Sequence, residues 1–193
     1  MRTQQPGARQ RMVETTALML AQYGLNATSI REMTRRAQAP FGSTYHHFPG
    51  GKQQVVVEAV RLSGERVAKA LDQHLQADGL SAFLASWRNT LLCSDFRLGC
   101  PVMAAAVEEP VNEIAEDALR AAAQAFAVWE NKLVACLQAQ GCDPDHAAQL
   151  AILIIASMEG TIVLCRAQRS ITPFDRVAAQ LTRLVAEAIA RKS

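Results

Sequence analysis

The chain has 193 residues, of which half are apolar and a fifth are charged. This composition excludes an intrinsically disordered chain and fits one large or two small folded domains. Alanine occupies 34 positions, whereas glycine and proline together occupy 17, and this balance predicts helices rather than sheets. The most apolar stretch, residues 150–165, is shorter than the roughly 20 apolar residues of a membrane-spanning helix, and the N-terminus lacks the apolar block of a secretory signal. We therefore expect a cytoplasmic protein with no membrane segment.

Charge is distributed unevenly along the chain. Residues 1–61 contain eight Lys and Arg against three acidic residues, a net charge of +5, while the remainder carries −3. A basic N-terminal third favours contact with a polyanion such as nucleic acid. A solvated basic surface would give the same count, so charge alone leaves both interpretations open.

Three helices are predicted in the first 48 residues. Gly24 ends the first, because glycine accepts the left-handed conformation that closes a helix. Ser29 and Glu32 have the spacing of a capping box at the start of the second, and Pro40 precedes the third. The predicted ranges are about 6 or 8 to 23, about ten residues from 28, and about 41–48. Two short helices separated by a tight break are typical of a helix-turn-helix, although any small helical bundle produces the same spacing.

Longer helices are predicted after residue 52, separated by glycine and proline breakers. Their ranges are about 52–76, 80–94, 101–108, 112–140, 144–169 and 174–191. The chain is therefore predicted to be all-α, with about nine helices. We expect an N-terminal three-helix helix-turn-helix DNA-binding domain over residues 1–51 and a larger helical domain over residues 52–193.

Histidine and cysteine patterns give no sign of a metal site or of catalysis. The five cysteines are odd in number and lack C-x-x-C spacing, which disfavours a zinc site or a disulfide framework. His46 and His47 are adjacent, so on a helix they point about 100° apart and do not grip one ion as an i, i+4 pair does. Since no nucleophile elbow, phosphate loop or zinc-protease motif occurs, we expect neither an enzyme nor a bound cofactor or metal.

The third predicted helix has the most informative sequence. It reads Gly-Ser-Thr-Tyr-His-His-Phe over residues 42–48, with Lys52 shortly after it and Thr-Ser-Ile-Arg-Glu over residues 28–32 before it. This pattern resembles the N-terminal domain of the TetR family of bacterial transcriptional regulators over about residues 8–54. The Pro-Gly-Gly-Lys run at 49–52 and the Gly-Cys-Pro run at 99–101 resemble the LmrA/YxaF-like branch of that family.

The resemblance implies contacts with operator DNA. It implies that Tyr45 contacts the DNA backbone or a thymine, that His47 binds phosphate and that Lys52 begins the fourth helix. Small or hydrogen-bonding residues of the third helix suit a DNA groove, since they approach closely or reach base edges. The predicted DNA-binding residues are Thr28, Ser29, Arg31, Gly42, Ser43, Thr44, Tyr45, His46, His47 and Lys52.

Two positions depart from the family pattern. Gln38 stands where the turn often has glycine, and Phe41 stands where a polar or basic residue commonly reads bases. Phe41 either offers an apolar contact, such as one to a thymine methyl, or packs within the turn. We expect the packing role.

The C-terminal domain carries large apolar residues on four predicted helices. The resemblance implies that these helices surround a pocket for a small hydrophobic or aromatic effector, although an ordinary core has the same residues. The predicted ligand-binding residues are Phe83, Trp87, Leu91, Met103, Phe126, Trp129, Met158, Glu159 and Ile162. Apolar residues on two faces of the eighth helix favour a homodimer through the last two helices, as the resemblance also implies, while a buried monomeric helix is the alternative.

Together these features predict a ligand-responsive transcriptional regulator. We expect a homodimeric repressor that a small ligand releases from a palindromic double-stranded operator. One alternative is a thiol-sensing regulator in which Cys100 or Cys165 reacts. The other is an all-α enzyme or scaffold with an incidental basic N-terminal segment.

Overall fold

The computed structural model describes residues 7–77, 79–108 and 113–190. Within these ranges the chain is all-α, with nine helices and no strand, which confirms the predicted fold class. The helices are α1 (Ala8–Tyr23), α2 (Ile30–Arg36), α3 (Ser43–His47), α4 (Gly51–Ala77), α5 (Gly79–Cys93), α6 (Pro101–Ala106), α7 (Glu113–Ala139), α8 (Pro144–Gln168) and α9 (Thr172–Ala190).

Local signals explain where the short helices begin and end. Gly24 closes α1 with φ 78°, and its N–H donates to the carbonyl of Leu20. The hydroxyl of Ser29 caps α2 by accepting from the N–H of Glu32 at 3.3 Å. The third helix is shorter than predicted: it begins at Ser43 rather than near residue 41, because Gly42 and not Pro40 occupies the N-cap.

The chain divides into two compact units that do not follow a single cut in the sequence. One contains residues 1–64 and 100–123, and the other contains residues 65–99 and 124–193. Both α4 and α7 contribute residues to each unit. A functional division at residue 52 therefore stays a prediction.

The first unit has its core where α1 packs against α2 and α6. Met12, Leu20, Met33 and Phe48 are all completely buried there. The guanidinium of Arg9 lies over the ring of Phe48, 5.1 Å from its centroid. This contact fixes the end of α3 on the core through a cation–π interaction.

In the second unit, α8 packs against both α9 and α5. Ile154, Ile162 and Phe174 are among its fully buried side chains. The guanidinium of Arg88 on α5 forms a two-pronged ion pair with the carboxylate of Asp175 on α9, at 2.8 and 3.2 Å. Arg88 lowers the pKa of Asp175 through these hydrogen bonds.

Helix α8 contains the most apolar stretch of the sequence, residues 150–165. Its 25 residues are long and apolar enough to cross a membrane, the only such case among the described helices. Nine of its side chains are buried inside the protein, as in the core helix of a soluble domain, which meets the same criterion of length and composition.

Candidate DNA-binding surface and ligand cavity

The turn between α2 and α3 is held by a residue from α1. Gln38 has a left-handed backbone with φ 50°, at the position where the sequence departs from glycine. The Nε of Arg11 donates to the carbonyl of Ala37 at 3.1 Å, and its Nη2 donates to the carbonyl of Gln38 at 3.4 Å. Arg11 therefore binds the carbonyl end of α2 and fixes the break that sets the direction of α3.

Helix α3 has one buried face and one open face. Thr44 and Phe48, which are four residues apart, are both completely buried. Tyr45 is 57% exposed, and Gly42 and His46 are also exposed. Phe41 and Gly42 lie in the turn just before α3. We call these two residues, together with Tyr45 and His46, the open face of α3. The side chain of Ser43, another predicted contact, lies outside the described part of the structure.

Burial corrects two of the predicted DNA contacts. Thr28 is 1% exposed, and its hydroxyl donates to the carbonyl of Gly24 at 2.8 Å, where it satisfies the end of α1. Thr44 is fully buried because it lies one helical turn before Phe48 and shares its inward face. Both side chains therefore face the protein interior in this structure.

The expectation for Phe41 is also corrected. Its side chain is 56% exposed, so it does not pack within the turn. Its carbonyl accepts from the N–H of Thr44 at 3.2 Å. This hydrogen bond closes a turn directly before α3. Phe41 is thus an exposed ring just before α3, four residues ahead of the exposed Tyr45.

The start of α2 combines an exposed cap with compensated charges. Ser29 and Arg31 are exposed. The carboxylate of Glu32 pairs with Arg35 at 2.5 Å and with Arg36 at 2.6 Å. Hydrogen bonds from these two guanidinium groups lower the pKa of Glu32 to about 2. Of the predicted capping box, the hydrogen bond from the N–H of Glu32 to the Ser29 hydroxyl is present. The Glu32 carboxylate pairs with the two arginines instead.

The remaining predicted contacts are half-buried. His47 and Lys52 follow the open face of α3 along the chain. Burial lowers the pKa of Lys52, and the nearby carboxylate of Glu108 opposes that shift. Glu108 also accepts from the N–H of Leu25 at 3.2 Å and from the amide of Asn26 at 2.6 Å. No pattern in the sequence pointed to Glu108, which lies 82 residues after Asn26.

The second unit contains a small apolar cavity. The space inside it that the centre of a water-sized sphere can occupy is about 20 Å³, enough for about one water molecule. Glu159 is its only charged lining residue and is 8% exposed. The lining residues are Val67, Leu71, Phe83, Trp87, Trp129, Leu133, Ile154, Ile155, Met158, Glu159 and Ile162.

Six of the nine predicted ligand-binding residues line this cavity. Leu91 and Phe126 belong to the same unit but are not among the lining residues, and Met103 belongs to the first unit. Phe126 instead packs edge-on against Trp129, with ring centroids 5.2 Å apart. We did not predict that Val67 and Leu71 of α4 line the cavity. Their four-residue spacing places both on one face of the helix.

Helix α8 has a second apolar face that points to solvent. The exposed fractions are 51% for Ile152, 43% for Leu153, 46% for Val163 and 48% for Leu164. A Cβ added to Gly160 would meet nothing within 4 Å. We call this face, with the exposed Ala156 between its ends, the α8 stripe.

The environment of the two cysteines in the thiol-sensing alternative does not favour reactivity. Cys100 is 4% exposed, and its Sγ accepts from the N–H of Met103 at the start of α6. Cys165 is completely buried, and that burial raises the pKa of its thiol. A reactive cysteine needs an accessible thiolate, and neither site supplies one.

Known proteins resemble this chain in sequence and in fold. The sequence profile of the LmrA/YxaF-like transcriptional regulator C-terminal domain matches residues 76–180. An uncharacterized HTH-type transcriptional regulator of Mycobacterium tuberculosis is 38% identical over 97% of this chain and 98% of its own length. The HTH-type regulator LmrA of Bacillus subtilis is 26% identical over 86% of this chain and 90% of its own.

A crystal structure of a TetR transcriptional regulator from Legionella pneumophila superposes with a TM-score of 0.81. It covers 94% of this chain and 98% of that one, at 17% identity, which demonstrates a shared fold. The profile covers more than half of the chain, and the mycobacterial relative covers almost all of it. The chain therefore belongs to the TetR family of DNA-binding transcriptional regulators, in its LmrA/YxaF-like branch.

Proposed function

We propose that this regulator is a cytoplasmic homodimeric repressor that leaves a palindromic operator when a small apolar ligand enters the cavity of the second unit. The observation that carries the proposal is the open face of α3. This face follows a rigid turn and presents an aromatic pair, a glycine and a histidine to solvent. A helix that served only packing would bury such large rings.

The α8 stripe supports the homodimer. Exposed apolar side chains that recur along one helix face favour burial against a partner. A second copy of the same stripe is complementary by symmetry, because a two-fold axis places identical surfaces together. Such a dimer carries two copies of α3, which would read half-sites about 34–36 Å apart on one side of the duplex.

Phosphate contacts would supply most of the affinity. The groups available for this role are the exposed Ser29, Arg31, Tyr45 and His46 and the half-buried His47 and Lys52. The open face of α3 would supply sequence preference through the major groove. Binding is therefore expected to weaken steeply as salt rises, since counterions return to the phosphates.

The cavity supports an apolar effector with one polar or cationic group. Two indole rings and several aliphatic chains line it, and Glu159 offers the single charged anchor. A space for about one water is too small for a drug-sized molecule. An effector must therefore bind an opened conformer, and it releases DNA only if that conformer binds the operator more weakly.

The test of DNA binding uses duplexes selected from a random pool by the full chain. We expect a palindrome whose affinity drops roughly a thousandfold between about 50 and 200 mM salt. Tyr45→Phe and Lys52→Ala should each weaken binding about tenfold, through loss of a phosphate partner. Tyr23→Phe and Lys69→Ala serve as matched controls. No enrichment of any duplex, or indifference to both test variants, would reject the proposal.

The test of the effector uses release of a fluorescent operator duplex. Aromatic compounds with and without a protonated amine are titrated against the complex. We expect at least one compound to release the operator from the wild type. Ile155→Phe, at a half-buried lining position, should bind DNA normally but resist release because its larger ring occupies the cavity. Release that is unchanged in this variant would exclude the cavity as the effector site.

A further inference from the structure

Phe41 is an exposed aromatic ring on a surface that the proposed function gives to DNA. It is 56% exposed, and Tyr45, four residues later, is 57% exposed. Gly42 between them has open space where a Cβ would lie. The exposed ring of Phe41 therefore stands just before α3, next to a residue that leaves room for a close approach.

The geometry of B-DNA limits what this ring meets. A helix of about 10–12 Å diameter enters the major groove, whereas the minor groove of about 6 Å is too narrow for it. A phenyl ring offers no hydrogen bond to a base edge. The apolar group that unmodified base pairs present in the major groove is the 5-methyl of thymine.

We infer that Phe41 is a specificity-determining residue that reads a thymine methyl in each half-site of the operator. The inference rests on the proposed placement of α3 in the major groove. Burial of the exposed ring against the methyl removes apolar surface from water on both sides. A water-exposed phenylalanine is then explained by a partner that is present only when DNA is bound.

The experiment begins with the duplex selected by the full wild-type chain. Each thymine is replaced in turn by deoxyuridine, in both half-sites together, and the dissociation constant is measured by anisotropy. Deoxyuridine lacks only the methyl, so hydrogen bonding stays the same. We expect one symmetric thymine pair whose replacement weakens wild-type binding about fourfold per half-site, or roughly fifteenfold in total.

Phe41→Ala and Leu92→Ala provide the matched comparison. Both remove an exposed apolar side chain, but only the first lies next to α3. Phe41→Ala should bind the thymine duplex more weakly and should no longer distinguish it from the deoxyuridine duplex. Leu92→Ala should behave as the wild type does. Selection with Phe41→Lys should replace the responsive thymine by guanine, which presents two acceptors to a lysine.

Three results would overturn the inference. One is wild-type binding that no deoxyuridine replacement weakens, while the palindrome itself is recovered. Another is a methyl effect that persists in Phe41→Ala, which would assign the methyl to another residue. The third is a Phe41→Ala variant that loses affinity equally for all DNA sequences, with no methyl effect. This result would indicate insertion of the ring between base steps. Failure to recover any duplex would instead reject the proposed function.

Discussion

The carboxylate of Glu108 joins two segments of the first unit that are distant in sequence. It accepts from the backbone of Leu25 and from the side chain of Asn26. One of its oxygens also lies 3.2 Å from where a Cβ on Gly24 would stand. These contacts lie just before the cap of α2, so Glu108 fixes the entry to the helix-turn-helix.

Replacement of Glu108 should therefore destabilise the first unit. Glu108→Ala removes both acceptors, and we expect the free energy of unfolding to fall by about 1–2 kcal/mol. Glu108→Gln keeps one acceptor and should cost less. Urea unfolding measures both, with Glu65→Ala, an exposed acid on α4, as the control. Equal stability of Glu108→Ala and the control would contradict the role given to this carboxylate.

Glu32 gives a pH dependence with a defined direction. Its pKa falls from the ordinary 4.5 to about 2 because Arg35 and Arg36 donate hydrogen bonds to it. The folded state thus favours the ionised form, and this contribution is complete above about pH 4.5 and is lost as the pH falls to about 2. The melting temperature of the wild type should drop over this window more than that of Glu32→Gln.

Salt provides the control for that measurement. The three side chains are between about one-third and two-thirds exposed, so roughly 1 M salt should screen their interaction and reduce the difference. A wild type and a Glu32→Gln variant with parallel pH profiles at low salt would show that the ion pairs add nothing to stability.

At the scale of elements, the turn between α2 and α3 stores backbone strain. A left-handed conformation costs a residue with a Cβ about 1 kcal/mol more than it costs glycine. Gln38→Gly should therefore raise the free energy of unfolding by up to about 1 kcal/mol, whereas the branched Gln38→Val should lower it by a similar amount. The backbone bonds to Arg11 are kept in both. A Gln38→Val variant with a higher free energy of unfolding in denaturant than Gln38→Gly would contradict this interpretation.

Sequence patterns located most helices because breakers and caps act locally. Asp143 illustrates this: it caps α8 by accepting from the N–H groups of Asp145 and His146, and Pro144 occupies the first turn as the breaker pattern predicted. The start of α3 was missed because Pro40 and Gly42 both suit a helix start. Tertiary contacts decided between them, since the buried Thr44 and Phe48 fix the register of the helix.

The site was only partly predictable for the same reason. The family resemblance implied an accessible Tyr45, but burial of Thr28 and Thr44 depends on which face meets the core. The family resemblance led to the prediction of the cavity's aromatic residues, but Phe126 packs on Trp129 instead of lining the space. Such choices arise from packing between helices, which a single sequence does not specify.

At the scale of the whole molecule, the α8 stripe determines the expected assembly. Leu164→Glu places a charge in the proposed interface, where it has no water or partner. We expect sedimentation velocity to show a monomer and operator binding to fall at least tenfold, because one half-site supplies only half of the contacts. Asn89→Glu, an exposed substitution on α5, is the control. A Leu164→Glu dimer would exclude the stripe as the interface.

The cavity has an optical consequence. The chain contains two tryptophans, Trp87 and Trp129, and both line this one space. All indole emission of the protein therefore originates beside the proposed effector site. A compound that enters should shift or quench that emission without any attached dye, so the unmodified regulator is already a sensor whose signal is independent of DNA.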